Sequence, residues 1–167
     1  MLDPKVFYSC LGFVGGSHYT HTGGGGEYIC LPNNPKYDKY GSAAGSYIYG
    51  TEYQFISYSP FTNNLQDYDA PCVVCYVKSR ATQLMLPARN DCPTGWTEEY
   101  HGYLMAGHYN YGHSTSFLCI DGEAEFVHGS GANRDGALLY LVGAQCGSLP
   151  CPPYVSGRVL TCAVCTK

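Results

Sequence analysis

The sequence predicts an all-β fold, a single disulfide-rich domain of two pseudo-symmetric repeats with long loops. Three observations predict it. The apolar segments are short, rich in Tyr, Val and Ile, and punctuated by Gly, Pro, Asn and Asp, which is the pattern of strands and turns. No window of about 12 residues carries a helical period. The chain of 167 residues holds ten cysteines, an even number suited to a disulfide framework.

The expected strands follow in order. Residues 27–31 (Glu-Tyr-Ile-Cys-Leu) form a short apolar run, and 46–56 carries Tyr47, Ile48, Tyr49, Tyr53 and Phe55. Residues 71–78 start at Pro71 and run through Val73, Val74, Tyr76 and Val77, and 82–87 contains Leu84, Met85 and Leu86. The segment 99–106 reads as a strand, because Gly102 and Gly107 interrupt any helix opened at Thr97-Glu98-Glu99. Residues 114–120, 136–144 and 158–165 complete the set. Leu31 to Gly45 and Ile56 to Asp69 are the long loops, the usual carriers of binding chemistry on a β scaffold.

The chain also repeats itself. Gly12-Phe13-Val14 matches Gly102-Tyr103-Leu104, and His18-Tyr19 matches His108-Tyr109. Tyr28-Ile29-Cys30-Leu31 matches Phe117-Leu118-Cys119-Ile120. Gly45-Ser46-Tyr47-Ile48-Tyr49 matches Gly136-Ala137-Leu138-Leu139-Tyr140, Gln54 matches Gln145, and Cys72-Val73-Val74-Cys75 matches Cys162-Ala163-Val164-Cys165. The order is kept and the offsets stay between 89 (28 to 117) and 91 (45 to 136). The repeats span about 5–80 and 90–167, with Thr82 to Asp91 as a hinge. Two copies are too few for a solenoid and suggest a shared core.

Composition narrows the function. A net charge of −4 with 13% charged residues gives no footprint for a phosphate backbone, so nucleic acid is excluded as a partner. The longest apolar run, Gly136 to Ala144, is far short of the roughly 20 residues that span a bilayer, so no membrane insertion is expected. The cysteines Cys10, Cys30, Cys72, Cys75, Cys92, Cys119, Cys146, Cys151, Cys162 and Cys165 point to a secreted, extracellular protein. The start, Met1-Leu2-Asp3-Pro4-Lys5, lacks the apolar stretch of a signal peptide, so secretion implies a leader already removed or a numbering that begins after one.

Duplication constrains the bridges, since equivalent cysteines should make equivalent bonds. Cys30 and Cys119 would each reach one member of the following Cys-x-x-Cys, and the other members would pair with Cys10 and Cys92. Cys146 and Cys151 have no counterparts in the first half, and their loop is short enough to close on itself. The competing chemistry is zinc, whose knuckle spacing Cys72-x-x-Cys75 and Cys162-x-x-Cys165 share, but both pairs sit in strand-like runs rather than turns.

The candidate ligand-binding residues are His18, Tyr19, His21, His108, Tyr109, Asn110 and His113. His-Tyr recurs in both halves, and an imidazole beside a phenol offers a flat ring with hydrogen-bonding tips. The chain holds 17 tyrosines, and a sugar stacks its C–H face on such rings. No cofactor is expected, and whether the histidines hold a metal stays open. Gly23-Gly24-Gly25-Gly26 lacks the Lys and following helix of a phosphate loop. Neither Gly-x-Ser-x-Gly nor His-Glu-x-x-His occurs, so the reading leans away from an enzyme and names no catalytic residue. A metal-dependent or oxidative enzyme built on the His-Tyr loops remains the third alternative.

Several blocks carry a family resemblance: Tyr28-Ile29-Cys30-Leu31-Pro32, Asp69-Ala70-Pro71-Cys72-Val73-Val74-Cys75-Tyr76, Cys92-Pro93-Thr94-Gly95-Trp96, Gly102-Tyr103-Leu104-Met105, Cys146-Gly147-Ser148-Leu149-Pro150-Cys151-Pro152-Pro153-Tyr154 and Leu160-Thr161-Cys162-Ala163-Val164-Cys165. From about Gly12 onward the chain resembles the cysteine-rich non-collagenous C-terminal domain of sponge-type short-chain collagens, found also in secreted mollusc-like invertebrate proteins. No Gly-X-Y run is present, and Asp3-Pro4 stands where the second half has Cys92-Pro93. The resemblance implies an extracellular, disulfide-bonded, self-associating module and supplies no catalytic residue. The expected function is carbohydrate binding by a lectin-like module, with a structural matrix or adhesive module as the alternative. The expected partners are glycans or extracellular matrix, with a homo-oligomer as the assembly.

Overall fold

The computed structural model describes residues 6–38 and 45–167, and of Val6–Cys10 the backbone alone. Among the described residues there are nine strands and no helix. They are β1 (Val6–Gly16), β2 (Ile29–Pro32), β3 (Tyr49–Tyr53), β4 (Pro71–Val77), β5 (Gln83–Pro87), β6 (Thr97–Ala106), β7 (Leu118–Asp121), β8 (Ala137–Leu141) and β9 (Thr161–Thr166). One sheet runs β2-β1-β3-β8-β6-β9-β5, with β4 added on β1 and β7 on β6. The all-β, disulfide-rich expectation therefore holds.

β1 pairs antiparallel with β2, β3 and β4, and β6 pairs antiparallel with β7, β8 and β9. Each of the two long strands has a bulge opposite the Cys-x-x-Cys strand, between Tyr8 and Cys10 and between Glu98 and Tyr100. A bulge adds one residue to one strand and bends it, so the sheet curls at both places. β3 and β8 join the two groups by a parallel pairing, Thr51 with Ala137, Glu52 with Leu138 and Tyr53 with Leu139.

One expectation needs correction. The strand β1 was not among those expected, because Gly12, Gly15 and Gly16 read as turn punctuation. Glycine there serves close approach: a Cβ on Gly12 would overlap the Leu31 carbonyl oxygen, and one on Gly102 would overlap that of Ile120. The strand expected at 82–87, inside the segment Thr82 to Asp91, is present as β5 and pairs with β9 from Gln83–Thr166 to Pro87–Cys162.

The loop from Ile56 to Asp69 is largely at the surface but sends two side chains into the core. Its Phe61 and Leu65 are buried with Val14, Tyr53, Ala70, Met105, Ala124 and Leu139. Its polar groups are satisfied internally. Gln54 donates to Asp67 at 2.9 Å, Gln66 donates to Gln54 at 2.7 Å, and the Phe55 N–H donates to Gln66 at 2.9 Å. Polar groups packed beside the core need such partners.

Four disulfides staple the sheet: Cys30–Cys72, Cys119–Cys162, Cys92–Cys165 and Cys146–Cys151. Cys30 and Cys119 each take the first member of the following Cys-x-x-Cys, Cys92 takes the second, and the short loop closes on itself. Three of the four sulfurs in the zinc-like pairs are thereby used. The Cys10 side chain lies outside the described residues, and Cys75, expected to be bridged, is instead exposed with a free thiol.

Glu52 is 2% exposed on the β3–β8 seam. Its Oε1 accepts the Arg134 N–H at 2.9 Å, while Oε2 is buried without a partner among the described residues. Burial raises the Glu52 carboxyl above its ordinary value against the backbone donors of Arg134 and Asp135, with the charges of Asp69 and Asp135 adding to the rise. Burial also raises Asp69, which Arg134 opposes. A raised carboxyl holds its proton in the folded chain after the unfolded chain has released it. Its effect is therefore to lower stability as pH rises from the ordinary carboxylate range, 4.5 for Glu, through the raised value. The urea midpoint is expected to be higher at pH 5 than at pH 7, with a smaller difference in Glu52→Gln. An unchanged difference in that variant would remove Glu52 as the cause.

Candidate functional site

The expected His-Tyr loops follow β1 and β6 directly. The chain turns back after each strand, and the His21 N–H bonds to the His18 carbonyl at 3.0 Å, as the Tyr111 N–H does to the His108 carbonyl at 3.1 Å. In both turns the histidine ring closes the bend. The Thr20 N–H reaches His18 Nδ1 at 3.3 Å, and the Asn110 N–H reaches His108 Nδ1 at 3.2 Å. A ring nitrogen that accepts a hydrogen bond carries no proton, so the neutral rings of His18 and His108 hold theirs on Nε2. His113 is the reverse: its Nδ1 lies 2.6 Å from the His21 carbonyl oxygen, which can only accept. In the neutral ring its Nε2 is an acceptor.

The rings form one connected surface. His18 packs on Tyr19 at 4.9 Å between centroids, on His21 at 5.0 Å and edge-on to Tyr49 at 4.8 Å. His108 packs on Tyr109 at 4.4 Å, on Tyr111 at 5.5 Å and edge-on to Tyr140 at 5.0 Å. Tyr19 meets Tyr111 at 5.3 Å and joins the two groups. The Tyr111 hydroxyl donates to the Tyr140 hydroxyl at 3.0 Å. The Tyr19 N–H bonds to the Gly136 carbonyl at 2.9 Å, and the Ser116 N–H bonds to Gly26 at 2.8 Å, which ties each loop to the other half of the chain. Burial raises the Tyr111 phenol, with the bonded Tyr140 hydroxyl next in effect, so Tyr111 remains a neutral donor in ordinary buffers.

His18, Tyr19, His21, His108, Tyr109 and His113 thus stand together, and Asn110 fixes the second turn through its backbone while its side chain is exposed. Tyr49, Tyr111 and Tyr140 belong to the same surface and were not singled out from the sequence. The signal was present: Tyr49 and Tyr140 are repeat counterparts, and Tyr111 stands opposite His21. Asp67 accepts from Gln54 and Gln66, and Asp121 accepts the Glu123 N–H at 3.0 Å. No group of three or more His, Cys, Asp or Glu side chains among the described residues is arranged to hold a metal ion.

Gly23 to Gly26 forms a turn rather than a phosphate cradle. Gly24 has φ of +116°, a conformation open to glycine, and Ser17 Oγ donates to the Gly25 carbonyl at 2.7 Å. Beside it lies an open cleft of about 430 Å³ bordered by Ser17, Glu27, Ile29, Tyr47 and Ile48.

No protein-family model matches the chain. No solved structure matches it significantly.

Proposed function

We propose that the protein is a secreted carbohydrate-binding module and that the joined His-Tyr surface is its ligand site. The observation that supports this best is the Tyr19–Tyr111 contact at 5.3 Å, which makes one ring-lined surface from two loops. Tyr109 is 93% exposed at its margin. Flat rings suit the C–H face of a pyranose, and the Nε2–H donors of His18 and His108 with the acceptor of His113 suit its hydroxyls. The shallow, half-buried placement of the rings fits a sugar on a surface better than a drug-like ligand in a pocket. The four disulfides support an extracellular setting, where such bonds persist.

A glycan array with the oxidised protein, run with and without EDTA, tests this reading. Selective binding that survives EDTA is expected. Tyr19→Ala and Tyr111→Ala are each expected to weaken it roughly tenfold, the value of one aromatic contact of about 1.4 kcal/mol. A blank array from a folded sample would move the reading to the matrix or adhesive module.

A further inference from the structure

The buried Glu52 carboxyl stands at the start of a short path to the ring surface. Glu52 bridges Asp69 in antiparallel register, which sets two carboxyl groups opposite each other on neighbouring segments. The segment before β8 lies against Glu52, and its Arg134 N–H donates to Glu52 Oε1 at 2.9 Å. Glu52 Oε2 is buried with no partner among the described residues. The charged groups that face Glu52 are Asp69 across the bridge and Arg134 and Asp135 on that segment. Strand β8 itself brings only Ala137, Leu138 and Leu139 alongside.

The segment over Glu52 is under backbone strain. Asn133 and Asp135, on either side of Arg134, have φ of +46° and +51°, a region that residues with a side chain rarely adopt. All three residues are exposed, so the bond to Glu52 holds the turn from its inner side. The next residue, Gly136, is buried and locked onto the site. Its carbonyl accepts the Tyr19 N–H at 2.9 Å. A Cβ on Gly136 would overlap the Gly50 carbonyl oxygen and lie 3.3 Å from the Cβ of Tyr49. Tyr19 joins the two groups of rings through Tyr111, and Tyr49 packs edge-on to His18. A shift of residues 133–135 therefore reaches the ring surface through Gly136.

We propose that Glu52 is a proton-operated latch on the ring surface. With Glu52 protonated the 133–135 turn is closed and Tyr19 is held, and with Glu52 ionised the turn opens and releases it. The sign follows from burial. Closing the turn takes Glu52 out of water and sets it against the charges of Asp69 and Asp135. The closed form therefore binds the proton more tightly than an open form in which water reaches the carboxylate. Protonation favours closure, and closure weakens as pH rises from 4.5, the ordinary Glu value, through the raised value. A sugar bound on the rings would be held more tightly with Glu52 protonated. Only that consequence rests on the proposed function; the latch does not.

Amide hydrogen exchange of the full chain, followed by NMR between pH 5 and pH 7, tests it. Protection of the Tyr19 N–H is compared with that of the Tyr111 N–H, whose acceptor is His108 in its own loop. The ratio is expected to fall as pH rises, by at most about tenfold per pH unit, the limit for one proton. Glu52→Gln, neutral throughout, is expected to show no such fall, while any effect of the histidines is common to both proteins. Asp135→Asn keeps a residue that tolerates the left-handed turn and removes one charge that raises Glu52, so its fall is expected at lower pH. A wild-type ratio that does not change with pH overturns the proposal. So does a fall that persists in Glu52→Gln, or one that Asp135→Asn leaves at the wild-type pH. A fall abolished by Glu52→Gln, with a sugar affinity that does not follow it, supports the latch and counts against the sugar site.

Discussion

Replacing Cys119 and Cys162 together by alanine is expected to remove a large share of the protein's stability. The bond closes a loop with a sequence separation of 43 residues. The chain-entropy relation puts the constraint on the unfolded chain at about 4 kcal/mol for a loop of that size. A domain has roughly 5–15 kcal/mol in all. Cys162 is also fully buried in β9, so its loss leaves a cavity between β6 and β5 that the entropy relation does not include. Replacing Cys146 and Cys151 is the contrasting case. Their separation is 5 residues and the loop lies outside the sheet, so the same relation gives about 2 kcal/mol. Urea midpoints and melting temperatures of the two double variants, measured on oxidised protein, give the comparison. Equal shifts would mean that Cys119–Cys162 has no special hold on the fold.

Much of this framework was legible because cysteine identity and repeat order are written plainly in the chain. The pairing of Cys30 and Cys119 with the following Cys-x-x-Cys strands needed only the rule that equivalent residues make equivalent bonds. Strand β1 was hidden for a physical reason. Its glycines weaken strand propensity, and the purpose of Gly12 is visible only when β2 lies against it. The same reasoning hid the core role of Phe61 and Leu65, which sit among Asn, Ser and Pro and read as loop. At the candidate site the His-Tyr pairs were recognisable, whereas Tyr49 and Tyr140 read as strand residues. Their part in the surface depends on which face of β3 and β8 they take, and periodicity alone does not decide that for a strand crossing between two groups.

Gly102→Val is expected to cost at least about 3 kcal/mol, at or beyond the upper end of ordinary overpacking. The cause is backbone rather than side chain. A Cβ at Gly102 would meet the Ile120 carbonyl oxygen, the Asp121 carbonyl carbon and the Gly122 nitrogen, none of which can rotate away. Relief would require β7 to move off β6, losing the pairing from Gly102–Asp121 to Met105–Leu118. Cys119–Cys162 opposes that movement, because it ties β7 to β9 on the far side of the same glycine. Gly12 has the same relation to Leu31 and Pro32, with Cys30–Cys72 as the tie. Gly50→Ala is the control, since a Cβ there meets nothing within 4 Å among the described residues. Its unfolding free energy from urea titration should stay within about 0.5 kcal/mol of wild type, as for an ordinary surface position. If Gly102→Val shifts the midpoint no more than that control, the strands β6 and β7 are not in the contact described. If it unfolds the chain while Gly50→Ala does not, the glycine is there for the carbonyl that occupies its side-chain position.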